Sequence, residues 1–149
     1  MNIVLKIADS KPLLKTFIVL PEKIYAGHSR WVPPMYADEQ SFHDPGQNKA
    51  LLHSDVIRLL AYKNNNPVGR IMGIINHKYN QEHHEKTARF FALDCIDDQA
   101  VAHALIGSIE HWSKEKGMTK LIGPYGFSDK DPQGLQIEGL ELLPVIATP

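Results

Sequence analysis

A strand–helix–strand pattern in the second half of the chain most constrains its fold. Residues 88–96 are mostly apolar and predict a central strand. The next segment predicts a helix, which Gly117 ends, because four apolar side chains share one face: Val101, Leu105, Ile109 and Trp112. Residues 119–123 predict another strand. Strand, helix and strand in this order predict a parallel βαβ unit with a right-handed crossover.

The first half of the chain adds a strand, a helix and a hairpin. Residues 2–8 predict a strand. Asp9 or Ser10 can cap a helix with Pro12 in its first turn. Pro21 is expected to end or kink this helix, because proline lacks the N–H that a helix interior needs.

Two β-rich runs flank four residues typical of a turn, from Asn64 to Pro67. Residues 56–62 and 68–76 therefore predict a hairpin. Residues 28–48 are expected to form a loop, and residues 79–87 a polar connection. The whole order predicts an α/β (α+β) domain with a mixed sheet and helices on both faces.

Composition limits the class of protein. The 149 residues allow one domain, and the net charge of -1 argues against a basic nucleic-acid-binding module. One cysteine, Cys95, cannot form an intramolecular disulfide, which is typical of intracellular proteins. No apolar run approaches the roughly 20 residues that span a bilayer. We therefore expect a cytoplasmic protein that binds neither nucleic acid nor membrane.

The order of elements resembles the fold of the GNAT family of N-acetyltransferases. Four segments look like the N-terminal part of a group of longer bacterial GNAT-like proteins: WVPPMYADE, GRIMGIINHKYN, FFALDCIDD and HWSKEKGMTKLIGPYGFSDKD. The resemblance implies that residues 1–149 form a single GNAT-like domain without its C-terminal part. It also implies a bare sheet edge, which favours pairing with a second copy and hence a homodimer.

The resemblance also implies where acetyl-CoA or CoA would bind. The family holds it between the fourth strand and the next helix, where a Gln/Arg-x-x-Gly-x-Gly/Ala loop offers N–H groups to the pyrophosphate. The matching positions here are Cys95, Ile96, Asp97, Ala100, Val101 and Ala102. Asp97 replaces the Gln/Arg and Ala100 replaces the first glycine. We expect Asp97 or Asp98 to cap the helix instead, which puts carboxylates where the pyrophosphate would lie.

Catalytic candidates follow from the same resemblance. Asp94 on the fourth strand is the candidate general base, and Tyr125 after the fifth strand is the candidate acid. Each also has a structural interpretation: a strand-end carboxylate satisfied by backbone donors, and an aromatic side chain that packs a loop. Cys95 is interpreted as a small buried apolar residue. The histidines of residues 77–84 have no acidic residue at a metal-ligand spacing, so no metal site is predicted.

Two functions remain open. The first is an acyl-CoA-dependent N-acyltransferase that acts on a small-molecule amine of unknown identity. The second is a catalytically silent GNAT-like module that binds a small ligand or a partner chain. The junction between the fourth strand and the long helix discriminates between them. Free backbone donors there favour CoA binding, and a carboxylate cap disfavours it.

Overall fold

The computed structural model describes residues 2–143. The remaining positions of the predicted single domain, residue 1 and residues 144–149, lie outside the described part. The described elements are β1 (Ile3–Ile7), α1 (Lys11–Ile24), α2 (Tyr36–Phe42), β2 (Ser54–Lys63), β3 (Asn66–Asn76), α3 (His77–His83), β4 (Thr87–Cys95), α4 (Gln99–Glu115) and β5 (Lys120–Ile122). A 3₁₀ turn, Lys49–His53, precedes β2.

The five described strands form one mixed sheet in the order β1-β2-β3-β4-β5. The first four strands pair antiparallel, and β4 pairs parallel with β5. A parallel pair needs a crossover connection, and α4 supplies it. The predicted strand–helix–strand unit and the predicted mixed sheet are both confirmed.

Helices cover both faces of the sheet, as predicted. Because side chains alternate along a strand, Leu59 and Leu60 of β2 point to opposite faces. Leu59 belongs to an apolar cluster under α4 that contains the buried Leu105. Leu60 belongs to a second cluster under α1 that contains the buried Phe17. The sheet is therefore the middle layer between two cores.

Pro21 was predicted to end or kink α1. It does not end the helix, because α1 continues through Pro21 to Ile24. A proline leaves the carbonyl oxygen four residues earlier, that of Phe17, without its helical donor. Arg70 of β3 replaces that donor, since its Nη1 lies 2.8 Å from the Phe17 carbonyl oxygen. The sheet thus satisfies the bond that the proline removes.

Two further predictions are corrected by short helices. Residues 28–48 contain α2, and residues 79–87 overlap α3. The side chain of Asn76 starts α3 by accepting a hydrogen bond from the Tyr79 amide at 3.0 Å. The polar sequence did not predict α3, because none of its seven residues is buried and so no apolar face marks a helix.

The predicted hairpin is confirmed, with a tighter turn. Lys63 pairs with Asn66, so Asn64 and Asn65 form a two-residue turn. Both have positive φ, 48° and 63°, which the right-handed twist of a hairpin favours at a two-residue turn. The following residues, including Pro67, already belong to β3.

A bulge bends β4 in its middle. Met72 pairs with Phe91 and Arg70 with Asp94, so one β3 residue between them opposes two residues of β4. One of those two, Ala92, has a φ of 53°, in the left-handed region. The pairing of β5 with β4 reaches only Arg89. Past the bulge, β4 has no strand partner on its β5 side within residues 2–143, and a gap opens in the sheet.

Candidate functional site

A cavity of about 770 Å³ opens beside the bulge, where β4 separates from β5. Its floor is the bulged part of β4, residues 91–94. Its walls come from the end of α1, the segment 31–50 that includes α2, and the segment 124–135. The apolar wall residues include Trp31, Val32, Pro34, Phe42, Phe127 and Leu135. The cavity therefore combines a largely hydrocarbon lining with charged and polar side chains.

Asp94, the candidate base, lines this cavity but is held by two partners. The Tyr25 hydroxyl donates a hydrogen bond to Asp94 Oδ1 at 2.6 Å. Arg70 donates from Nε to Asp94 Oδ2 at 2.9 Å, and its Nη2 lies 2.9 Å from the same oxygen. Burial, followed by the nearby Asp94 charge, raises the pKa of Tyr25, so Tyr25 stays a donor. This geometry favours the interpretation of Asp94 as a structural carboxylate. Its donors are the side chains of Tyr25 and Arg70, whereas the sequence predicted backbone donors.

Glu39 of α2 is a second carboxylate at the cavity, and its environment differs. Its side chain is half-buried, and within the described chain it makes no hydrogen bond or ion pair. Burial raises the pKa of Glu39; Arg70 opposes this shift, while Asp94, Asp38 and Asp131 add to it. Within the described residues, Glu39 therefore differs from Asp94 in that its carboxylate lies half-buried at the cavity without a direct partner. Such a group keeps its proton to a higher pH than an ordinary glutamate does.

Tyr125, the candidate acid, lies elsewhere. It is absent from the residues that line the cavity. Its ring packs on the buried guanidinium of Arg89, whose Cζ lies 4.4 Å from the ring centroid. Arg89 also lies over the ring of Tyr79 at 4.6 Å and donates to the Gly126 carbonyl oxygen at 2.8 Å. The structure does not bring Tyr125 and Asp94 together at the cavity, and it gives Tyr125 the loop-packing role.

The junction between β4 and α4 is capped by a carboxylate, as predicted, and Asp98 is the cap. Its Oδ1 accepts from the Ala100 amide at 2.9 Å. Its carbonyl oxygen accepts from the amides of Val101 and Ala102 at 3.1 and 3.2 Å. Lys63 pairs with the Asp98 carboxylate, and this contact lowers the pKa of Asp98. The first-turn amides of residues 100–102 are thus already bonded.

The predicted cofactor residues fall into two groups. Cys95, Ile96, Asp97 and Ala102 line a second cavity of about 460 Å³ beside the junction. Ala100 and Val101 do not line it, and Val101, in the first turn of α4, is fully buried.

These surroundings fit an acyl-CoA only in part. The amide of Ile96 donates to the Val68 carbonyl oxygen at 2.9 Å, so by alternation the backbone groups of Leu93 and Cys95 point away from β3. That bare edge of β4 suits an amide-bearing chain. The Asp98 cap, with Asp97 exposed beside it, does not suit a pyrophosphate.

Sequence reasoning missed Arg70 and Glu39, and only one of them carried a signal. Arg70 interrupts an apolar strand, and a buried arginine needs acceptors around it. Asp94 interrupts the next strand, so the two could have been paired from the sequence. Glu39 lies in a polar segment and carries no comparable signal.

Neither a metal site nor a membrane span is found in the described chain. Between residues 2 and 143, no three His, Cys, Asp or Glu side chains are grouped so that they could hold a metal ion. Over the same range, no helix has the length and apolar character needed to cross a membrane.

Sequence comparison finds two curated relatives, and no protein-family profile matches. The chain is 32% identical over 136 residues to protein YghO of Escherichia coli (strain K12), covering 91% of this chain and 35% of that one. It is 28% identical over 134 residues to the bacterial ceramide synthase of Caulobacter vibrioides, covering 89% of this chain and 35% of that one. The chain thus spans about a third of the length of these relatives.

Solved structures share the fold. The acetyltransferase AAC(6')-Iy, in complex with the bisubstrate analog CoA-S-monomethyl-acetylneamine, matches with a TM-score of 0.58 and 15% identity over 85% of this chain and 81% of that one. A GNAT-family acetyltransferase from Staphylococcus aureus Mu50 matches with a TM-score of 0.57 and 15% identity over 85% and 75%. The aminoglycoside 6'-N-acetyltransferase AAC(6')-IG from Acinetobacter haemolyticus matches with a TM-score of 0.55 and 21% identity over 81% and 77%. The resemblance to GNAT proteins is confirmed at the level of the fold.

Proposed function

Starting from a chain that has the GNAT fold, we propose that it takes part in N-acyl transfer, with an acceptor amine that carries an apolar chain. The observation that carries this proposal is the cavity beside the β4 bulge. It brings a bare strand edge, an apolar wall and a half-buried carboxylate to one place. An active site for an amine acceptor needs these three features: a place for the acyl donor, a place for the acceptor, and a group that manages a proton.

The comparisons support the reaction class and one kind of acceptor. The solved neighbours named above include 6'-N-acetyltransferases, which acylate a nitrogen. One curated relative is called a ceramide synthase, and a ceramide is the amide of a long-chain amino alcohol. The apolar wall formed by Trp31, Val32 and Leu135 suits a hydrocarbon chain better than a sugar. The proposal concerns the whole protein, since the relatives are about three times as long as this chain.

The chain's own residues have separate parts in this proposal. A thioester donor would supply an activated acyl carbon, and the backbone edge at Leu93 and Cys95 would hold its amide arm. Arg70 and Tyr25 keep the Asp94 side chain in one orientation and so fix one side of the cavity. We assign no grip on the donor's phosphates to α4, because Asp98 already caps it.

A second candidate function rests on that same cap. A silent GNAT-like module would keep the cavity for a ligand and lose the binding of CoA. The bonded amides of residues 100–102 and the exposed Asp97 favour it. The two functions differ in whether this chain binds CoA at all.

Calorimetric titration of the chain with CoA and with acetyl-CoA tests the choice. The variant for comparison is Asp97→Arg with Ala100→Gly, which restores the family's residues at both positions. Glu110→Arg is the matched control, because it makes the same charge change on an exposed site of α4. Micromolar binding by the unmodified chain would support the acyltransferase. Binding by the double variant alone, and not by the control, would support the silent module.

A further inference from the structure

We propose that Glu39 receives the acceptor amine: its carboxylate pairs with the ammonium group in the cavity and then takes one proton from it. This inference rests on the proposed function, because it treats the cavity ligand as the amine to be acylated. It assigns a role to a residue that the fold resemblance does not point to, since Glu39 lies on α2 and not on β4.

The first reason is that Glu39 is available where its neighbours are not. Asp94 is held by Arg70 and Tyr25. Asp131 accepts at Oδ2 from the amides of residues 127 and 128, at 2.8 and 3.1 Å, and so caps the loop that carries it. Glu39 has no such partner among residues 2–143. An ion pair with a ligand therefore does not have to displace a bond that already exists.

The second reason is the combination of charge and apolar wall around Glu39. Four carboxylates and two cationic side chains line the cavity, so its lining carries net negative charge. That charge favours a cation over an anion. The apolar wall lies in the same cavity and can cover a hydrocarbon tail. An amine with an apolar chain presents both features in one molecule.

The third reason is the difference between Glu39 and its neighbour Asp38. Both side chains line the cavity, but Asp38 is exposed and Glu39 is half-buried. Water screens the charge of Asp38 and weakens any pair that it makes. Partial burial strengthens the pair that Glu39 makes with a cation.

Proton transfer follows from this placement. An amine attacks a carbonyl carbon only as the free base, so its ammonium form must lose one proton. In the proposed step an N–H bond of the ammonium breaks and an O–H bond forms on Glu39, which leaves a neutral amine beside a neutral carboxylic acid. The raised pKa of Glu39 brings it closer to that of an ammonium and so makes this transfer less unfavourable.

The pH dependence of binding has a definite sign. The charged groups that face Glu39 are Asp38 on α2, Arg70 on β3, Asp94 on β4 and Asp131 in the segment after β5. Glu39 must be ionised to pair with an ammonium. Binding of the amine is therefore present above the raised pKa of Glu39 and lost as pH falls through it.

Calorimetry with octylamine tests the assignment, with octan-1-ol as a probe of equal length and no charge. We expect Glu39→Gln to weaken octylamine binding about ten-fold, as for the loss of a charge-assisted hydrogen bond, and to leave octanol binding unchanged. Asp38→Asn removes the same charge one residue away and is expected to change octylamine binding less than about two-fold. Glu39→Gln should also abolish the pH dependence of octylamine binding.

Equal octylamine affinity in the unmodified chain and in Glu39→Gln would overturn the inference. So would equal weakening by Asp38→Asn, because general charge would then explain the binding. Circular dichroism of each variant separates these results from a loss of folding. Mass spectrometry of the amide formed from octylamine and octanoyl-CoA tests the proposed function separately. Octylamine binding that needs Glu39, without amide formation, would retain the ammonium site and reject the acyltransferase.

Discussion

Arg70 connects three parts of the molecule through one guanidinium group. It donates to the Phe17 carbonyl oxygen in α1 and to Asp94 on β4, while its own backbone belongs to β3. Its side chain is 10% exposed and that of Asp94 is 19% exposed, so water replaces these bonds poorly if they break. The cost of losing Arg70 is therefore largely the cost of leaving two acceptors unpaired.

Arg70→Met tests this directly. Methionine fills much of the same volume but donates no hydrogen bond, so Asp94 loses its cation and Phe17 its donor. We expect the free energy of unfolding to fall by about 3 kcal/mol, as when one partner of a buried pair is removed. Urea unfolding measures it. Arg30→Met, at an exposed position, is the control and should change stability by less than about 0.5 kcal/mol. Equal effects of the two changes would contradict this account.

His43 makes the stability of the fold depend on pH. It is 7% exposed, and its Nδ1 accepts from Arg58 Nε at 2.8 Å. Burial, with the charges of Arg58 and Arg70, lowers the pKa of His43 from 6.5 to about 3. Between those pH values the unfolded chain binds a proton at this site that the folded chain does not. Stability should therefore fall as pH decreases from about 6.5.

His43→Asn isolates this contribution, because asparagine can still accept from Arg58 and does not titrate. Below pH 6.5, one histidine can account for a slope of up to about 1.4 kcal/mol per pH unit. We expect the variant to lose that part of the slope, measured by urea unfolding at several pH values between 7 and 4. His103→Asn, at an exposed position, serves as the control. Parallel pH profiles for His43→Asn and the unmodified chain would show that His43 does not carry the effect.

At the scale of elements, α4 packs closely on β3 at Gly69. A Cβ on Gly69 would lie 2.9 Å from Cys95 Cβ and from Leu105 Cδ1, and 3.0 Å from Val101 Cγ1. Real Cβ atoms rarely approach other atoms so closely, and all three neighbours are core side chains. The absence of a side chain on Gly69 thus sets how near the helix lies to the sheet.

Two glycine-to-alanine changes give opposite predictions for α4. Gly69→Ala should lower the free energy of unfolding by about 1–3 kcal/mol, because the helix must shift to admit the methyl group. Gly107→Ala lies within α4 and meets no atom within 4 Å, so it should raise stability by about 0.5–1 kcal/mol through helix propensity. Thermal unfolding of both variants compares them. The same sign for both would contradict the packing argument.

Elements with a clear apolar pattern were predictable, and polar or interrupted elements were not. The buried stripe of α4 identifies it as a helix whatever lies around it, and the apolar run of β2 beside turn residues identifies a hairpin strand. α3 has no buried side chain, so its sequence carried no periodic signal. The passage of α1 through Pro21 depends on Arg70, which is 49 positions away in the sequence, and no local rule contains that information.

At the scale of the whole molecule, the two outer strands are open on one side in the described chain. β1 pairs only with β2, and β5 only with β4. Exposed strand edges favour pairing with another chain, so the homodimer remains a prediction. Sedimentation equilibrium over a ten-fold range of concentration should give an apparent mass that rises toward twice 16.8 kDa. A mass of 16.8 kDa at every concentration would contradict it.

The site was predictable only where it coincided with one strand or one junction. Asp94 and the Asp98 cap follow from their positions at the end of β4 and the start of α4. Glu39 reaches the cavity because α2 packs beside α1 and opposite the bulge, which is a property of the tertiary fold. Tyr125 was near in sequence to the expected position, but its ring packs on Arg89 and does not line the cavity.

The bond from Arg70 to the Phe17 carbonyl also constrains the order in which the sequence could have been acquired. A proline at position 21 without the arginine would leave a buried carbonyl group with no donor, whereas an arginine at position 70 is useful to Asp94 before any proline is present. The two substitutions are therefore epistatic. A lineage can acquire this pair by gaining Arg70 first. Once Pro21 is present, loss of Arg70 alone destabilises the fold by more than its gain stabilised it, because the Phe17 carbonyl oxygen then also loses its donor.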